Sequence, residues 1–137
     1  MDYPTIIADK YNQIILLSEF ERENLDFIDK VIYEIVSIRC EIEISSYESL
    51  FEQYFLNENH LDTFILMLSE VDDEYLTNVF KKVKLILSQN NFWQQMSFDN
   101  TNEDFRNQLD IIFNELDENQ MLWKIDEKLG LILVNNK

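Results

Sequence analysis

The sequence predicts an all-α protein, a single compact domain over residues 1–137 built from about six to eight helices. Three observations predict it. Glycine and proline occur once each, so the turns of an all-β chain would lack their usual residues. Apolar residues make up 46% and aromatics 13% of 137 residues, enough to bury a sizeable core and far from a disordered acidic tail. Several windows repeat the spacing i, i+3, i+4, i+7, the stripe of an amphipathic helix.

Pro4 suits a first helical turn, and Ile7, Tyr11, Ile14 and Ile15 follow on one face. Ile28, Val31, Ile32, Ile35, Val36 and Cys40 form a wide stripe on a second helix, with Asp26, Lys30 and Glu34 outside at four-residue steps. Ser45 and Glu48 have capping-box spacing and open a third helix. It places Tyr47, Leu50, Phe51, Tyr54 and Phe55 on one side and Glu48, Ser49, Glu52 and Gln53 on the other. Asn59 caps a fourth, carrying Leu61, Phe64, Ile65 and Leu68. A fifth runs from about Asp73 to Ser88 and buries Leu76, Val79, Phe80, Val83 and Ile86. After the polar connector "SFDNTNED", Thr101 caps a helix with Phe105, Leu109, Ile112, Phe113 and Leu116 inward. A last helix through Met121, Leu122, Ile125 and Leu129 stops at Gly130, where a left-handed residue is wanted. The competing assignment is a strand at "CEIEIS", which alternates with period two.

Twenty-seven acids against eleven bases give a net charge of −16 and a pI near 4.2. Such a surface repels nucleic acid and anionic membranes, whose phosphates need Lys and Arg, and attracts basic proteins. The opening "MDYPTIIADK" lacks a basic region followed by an apolar one, and no apolar run approaches the ~18 residues of a membrane span. With a single cysteine, no internal disulfide forms, and a cytoplasmic location is expected.

The composition argues against catalysis. One histidine and one cysteine exclude most zinc sites, and His60 has Asn57 where a di-iron bundle wants Glu three positions back. One glycine excludes phosphate-binding loops and nucleophile elbows. "DNTNEDFRNQLD" spaces Asp99, Thr101 and Glu103 like a calcium loop, but Asp104 stands at the turn position that needs glycine. Cys40 reads as a packed thiol and His60 as a neighbour of a helix start. No cofactor, no metal and no enzymatic activity are expected.

Acidic residues gather in and around "SSYESLFEQYFLNENH". Glu41, Glu43, Glu48, Glu52, Glu58 and Asp62 fall within 22 residues without a Lys or Arg. They are the candidate partner-binding residues, a carboxylate face for a basic protein. Asp72, Asp73 and Glu74 have a simpler explanation, since acids at a helix start and Lys81, Lys82 and Lys84 further on complement the helix dipole.

"YESLFEQYFLNEN", the "VDDEYLTNVFKKVKLIL" helix and "LDIIFNELDENQ" resemble a family of small, acidic, all-helical bacterial proteins with a domain of unknown function. One member of that family is described as a DNA mimic. The resemblance rests on Phe51, Gln53, Tyr54, Phe55 and Asn57 and covers about residues 30 to 136. Where the family carries Asn-Gly-Gly before the phenylalanine, this chain has Glu48, Ser49 and Leu50. The resemblance implies an all-α fold and mimicry of a phosphate backbone. Carboxylates at i and i+4 stand about 5–6 Å apart on a helix, close to the spacing of phosphates on one strand. The expected function is therefore a non-enzymatic inhibitor of a basic, nucleic-acid-handling protein, either a toxin-immunity factor or a DNA mimic. The alternative is a helical adaptor with an apolar contact, for which Trp93 and Trp123 are the residues to watch.

Overall fold

The computed structural model describes residues 2–99 and 101–135; positions 1, 100, 136 and 137, which the sequence reading places in the domain, lie outside the described residues. The all-α expectation holds, with nine α-helices and no strand among the described residues. They are α1 (Tyr3–Ile15), α2 (Glu19–Glu23), α3 (Phe27–Ile44), α4 (Tyr47–Ser49), α5 (Glu58–Glu70), α6 (Glu74–Gln89), α7 (Phe92–Gln95), α8 (Glu103–Glu118) and α9 (Met121–Asn135). The number exceeds the expected six to eight because α2, α4 and α7 are single-turn elements. No described helix is long and apolar enough to cross a membrane.

Helix α3 is the hub, packing against α1, α4, α5 and α9. Its buried stripe is Val31, Ile32, Ile35, Ile38 and Arg39; of the stripe that the sequence suggests, Ile28 and Val36 are partly buried against the core and only Cys40 falls outside. Arg39 lies seven residues, two turns, beyond Ile32 and therefore faces the core, while Cys40 rotates out and is exposed. The strand alternative at "CEIEIS" fails because α3 continues through Ile44, and the Ser45 N–H closes it on the Glu41 carbonyl at 3.0 Å. On α1, Ile7 and Ile14 are buried but Ile15 is 44% exposed.

Three caps differ from the sequence assignment. Ser46, in extended backbone, accepts from the Ser49 N–H at 3.4 Å, so Ser45 and Glu48 form no capping box. Asn57 caps α5 by accepting from the His60 N–H at 2.9 Å, in place of Asn59. Asn102 caps α8, because the Thr101 hydroxyl is committed to the Phe98 carbonyl at 2.6 Å. The expected third helix is also not a plain α-helix. After α4 the chain widens into a π turn, Leu50–Tyr54, closed by the Phe55 N–H on the Leu50 carbonyl at 2.9 Å. This five-residue step buries Leu50, Phe51 and Phe55 together.

The aromatic centre is a closed circuit. Phe51 meets Phe55, Phe55 meets Phe64, Phe64 meets Phe80, Phe80 meets Phe113 and Phe113 returns to Phe51, with centroids 5.1–6.4 Å apart. Each such pair adds roughly 0.5–1.5 kcal/mol beyond its buried area. The circuit clamps the π turn onto α5, α6 and α8.

Gly130 does not end the last helix. It sits inside α9, where an added Cβ would stand 2.3 Å from Tyr3 Cδ1. Its absent side chain is what lets α1 approach α9. The left-handed turn positions fall instead to Asp72, Asn91, Met96 and Gln120, at φ of 54 to 61°.

Candidate interaction site

The Tyr47 ring stacks on Phe113 at 4.8 Å, and its hydroxyl lies 3.3 Å from the Arg106 carbonyl and donates to the Asp110 carboxylate. Burial, followed by the hydrogen bond to Asp110 and then its charge, pushes the phenol well above its usual range. This anchor lays α4 and the π turn along α8. Glu48 thereby comes to Arg106, Oε2 to Nη2 3.7 Å, and Glu52 comes under the influence of Asp99 and Glu48. Glu52 has its carboxyl pushed up, first by partial burial and then by those two like charges. Glu48, Glu52 and Asp99 thus act on one another beside Arg106, and Tyr47 holds Asp110 one turn further along α8. Arg106 also donates from Nη2 to the Phe98 carbonyl at 3.3 Å.

The six carboxylates singled out from the sequence do not form one face. Glu48 and Glu52 join the cluster just described, half-buried where full exposure was expected. Glu58 and Asp62 share Lys84, with Glu58 Oε1 3.8 Å from Nζ and Asp62 in direct contact. Hydrogen bonding to Asp62 raises the lysine's pKa, despite the opposing effect of burial. Glu41 accepts from the Ser49 hydroxyl. Glu43 is exposed beside a small cavity of ≈ 50 Å³ bordered by Arg39, Phe113, Asp117 and Trp123. Sequence reasoning missed Asp99 and Asp110, which lie 47 and 58 residues beyond Glu52 and are brought in only by folding.

His60 is neither isolated nor a mere cap neighbour. Its Nε2 lies 3.2 and 3.3 Å from the two oxygens of Glu34, which also accepts from the Tyr54 hydroxyl. The ring packs on Tyr54 and Phe55. Burial, then the Glu34 charge, pushes the Tyr54 phenol well up. Both donors converge on one carboxylate, an arrangement that ties α3, the π turn and α5 together.

A second guanidinium is fully internal. Arg39 Nη1 lies 2.7 Å from Asp126 Oδ1 and 3.1 Å from the Leu122 carbonyl, and its guanidinium covers Trp123 at 4.2 Å. Arg39 Nε and Asp126 Oδ2 have no protein partner. Burial pushes the Asp126 carboxyl up, and Arg39 pulls it only part of the way back. Trp123 is thus half a core residue, 41% exposed on its other side, and Trp93 is half-buried against Phe92.

The acids at the start of α6 act locally. Asp73 caps it, accepting from the Leu76 N–H at 3.0 Å, and Lys128 donates to the Asp72 carbonyl at 2.6 Å. Lys84 reaches across to α5 instead of serving the end of its own helix. Among the described residues no group of three His, Cys, Asp or Glu side chains is placed to hold a metal. Comparison with protein-family models, curated proteins and solved structures finds no match to this chain.

Proposed function

We propose that the protein is a non-enzymatic, acidic inhibitor that binds a basic, nucleic-acid-handling protein and occupies its phosphate-binding surface, as a toxin-immunity factor or a DNA mimic. The observation that carries this reading is that Glu52, Asp99 and Glu48 act on one another while Arg106 pairs with Glu48 at 3.7 Å, and that Tyr47 holds Asp110 nearby. Glu52 has its carboxyl pushed up first by partial burial and then by the neighbouring charges of Asp99 and Glu48, and those like charges oppose folding. A cationic partner would relieve that repulsion on docking. The −16 net charge adds a long-range field that steers such a partner in. The resemblance read from the sequence would make the acidic surface a mimic of a phosphate backbone, and a cytoplasmic encounter is part of the proposal.

The test begins with identifying the basic protein captured from the source cell. The captured protein is then challenged with duplex DNA or RNA in the presence of the inhibitor. Displacement of nucleic acid, weakened by Glu48→Lys/Glu52→Lys, supports the reading. Simultaneous binding of inhibitor and nucleic acid defeats it. The adaptor reading, favoured by the exposed side of Trp123, differs in salt response: a charge-driven complex forms more slowly as ionic strength rises, whereas an apolar one barely changes.

A further inference from the structure

Helix α2 is built inside out. Glu19, Arg22 and Glu23 turn toward a cleft of ≈ 450 Å³ that they line with Lys30, Glu34 and Met67. At 100° per residue this leaves Phe20 on the flank of that side, about 100° round from Glu19, and it is 74% exposed. Just before it, at the end of α1, Leu16 is 85% exposed and Ile15 44%; just after, Phe27 is 42% exposed. Helix α2 itself contributes no buried residue. Scattered surface apolar residues need no explanation, but these four lie within the thirteen residues 15–27. Leu16 and Phe20 are the most exposed of the four.

The rim of this patch is acidic. Glu19, Glu21, Glu23 and Asp26 are all exposed, and Arg22 is the one base in the segment. We infer that residues 15–27 form a docking face for an amphipathic, basic helix. Its apolar side covers Leu16 and Phe20, and its Lys/Arg side meets Glu19, Glu21, Glu23 and Asp26. Charge selects this occupant over a second copy of the chain, because a two-fold pairing would set one acidic rim against another and bring together two bodies of −16. The inference rests on the reading of the protein as a ligand for basic partners and adds the shape that such a partner presents.

The probe is a synthetic helix of about 18 residues with Leu on one face and Lys on the other, alongside a scrambled peptide of identical composition. Calorimetry should show the amphipathic peptide binding at least about tenfold more tightly than the scrambled one. Leu16→Ser/Phe20→Ser should erase that difference without lowering the thermal melt, since both side chains are exposed, and Glu48→Lys/Glu52→Lys should preserve it. Equal binding of both peptides, indifferent to Leu16→Ser/Phe20→Ser, overturns the docking face and leaves the basic-ligand reading standing. Binding of neither peptide also overturns it. Phe20-dependent binding that persists at high salt, and after the peptide's Lys residues are replaced by Ser, overturns the stated partner chemistry and with it the inference, while leaving the proposed function standing. Sedimentation showing a dimer that Leu16→Ser/Phe20→Ser dissociates would assign the face to a second copy and overturn the inference.

Discussion

Arg39 and Arg106 each meet carboxylates, and the two neighbourhoods differ in burial and in stoichiometry. Arg39 is 5% exposed and faces Asp126 one to one at 2.7 Å, with an indole over its plane. The Arg106 side chain is 41% exposed and stands 3.7 Å from Glu48, with the Glu52 carboxylate also under its influence and more acids than bases nearby. In the first place desolvation is severe, so each charge is tolerable only while the other is present. In the second, water screens the contact and the charges are out of balance, so little folding energy depends on any one of them. The same chemical pair is thus a structural clasp in one region and an accessible, unbalanced surface in the other. Burial and stoichiometry, not residue type, separate what holds this fold from what it can offer a partner.

The sharpest way to break the comparison is to remove Asp126. Asp126→Ala should destabilise the protein by about 3–5 kcal/mol in urea unfolding, because it strands the buried guanidinium. Arg39→Met/Asp126→Leu should recover most of that loss. A small effect of the single change would place the two regions in the same class.

One turn further along α9, Gly130→Ala should cost about 1–3 kcal/mol, since its Cβ meets the Tyr3 ring and helix or ring must move. Combining it with Tyr3→Ala should cost less than the sum of the two single changes, which a double-mutant cycle reads directly. Strict additivity would mean that the close approach is not the constraint.

On the exposed side, Glu48→Lys/Glu52→Lys should leave stability within about 0.5 kcal/mol of the parent. One substitution adds repulsion against Arg106 and the other relieves the carboxylate cluster. Association with the captured basic protein should instead slow by about tenfold at low salt, measured by stopped flow. Unfolding of this variant would show that the cluster is structural after all.

The smallest effect concerns pH. Folding raises the Glu52 pKa above its usual 4.5, so the native state holds that proton more tightly than the unfolded chain does. The contribution is most favourable below 4.5 and is lost as pH rises through the folded value. Glu52→Gln should therefore raise stability slightly at neutral pH and flatten the stability curve just above 4.5, as followed by thermal melts across pH.

Helical periodicity survives without any knowledge of neighbours, which is why so much of the core was legible. Leu61, Phe64, Ile65 and Leu68 on α5, and Phe105, Leu109, Ile112, Phe113 and Leu116 on α8, are all buried as their spacing demands. Scarce glycine and proline likewise pointed correctly to helices. What failed was whatever depends on a residue distant in the chain. Arg39 lies outside the apolar stripe of the sequence although it stands two turns beyond Ile32; only Asp126, 87 residues away, makes its burial tolerable. Gly130 looked like a terminator because glycine favours left-handed turns, yet the Tyr3 ring is the reason for it. The widened turn at Leu50–Tyr54 follows from the fit of Phe51 and Phe55 into the phenylalanine circuit. At the candidate site the sequence supplied Glu48 and Glu52, and the tertiary fold supplied Asp99, Asp110 and Arg106. A period of 3.6 residues reports which side of a helix is apolar, but it carries no information about which charges two helices bring face to face.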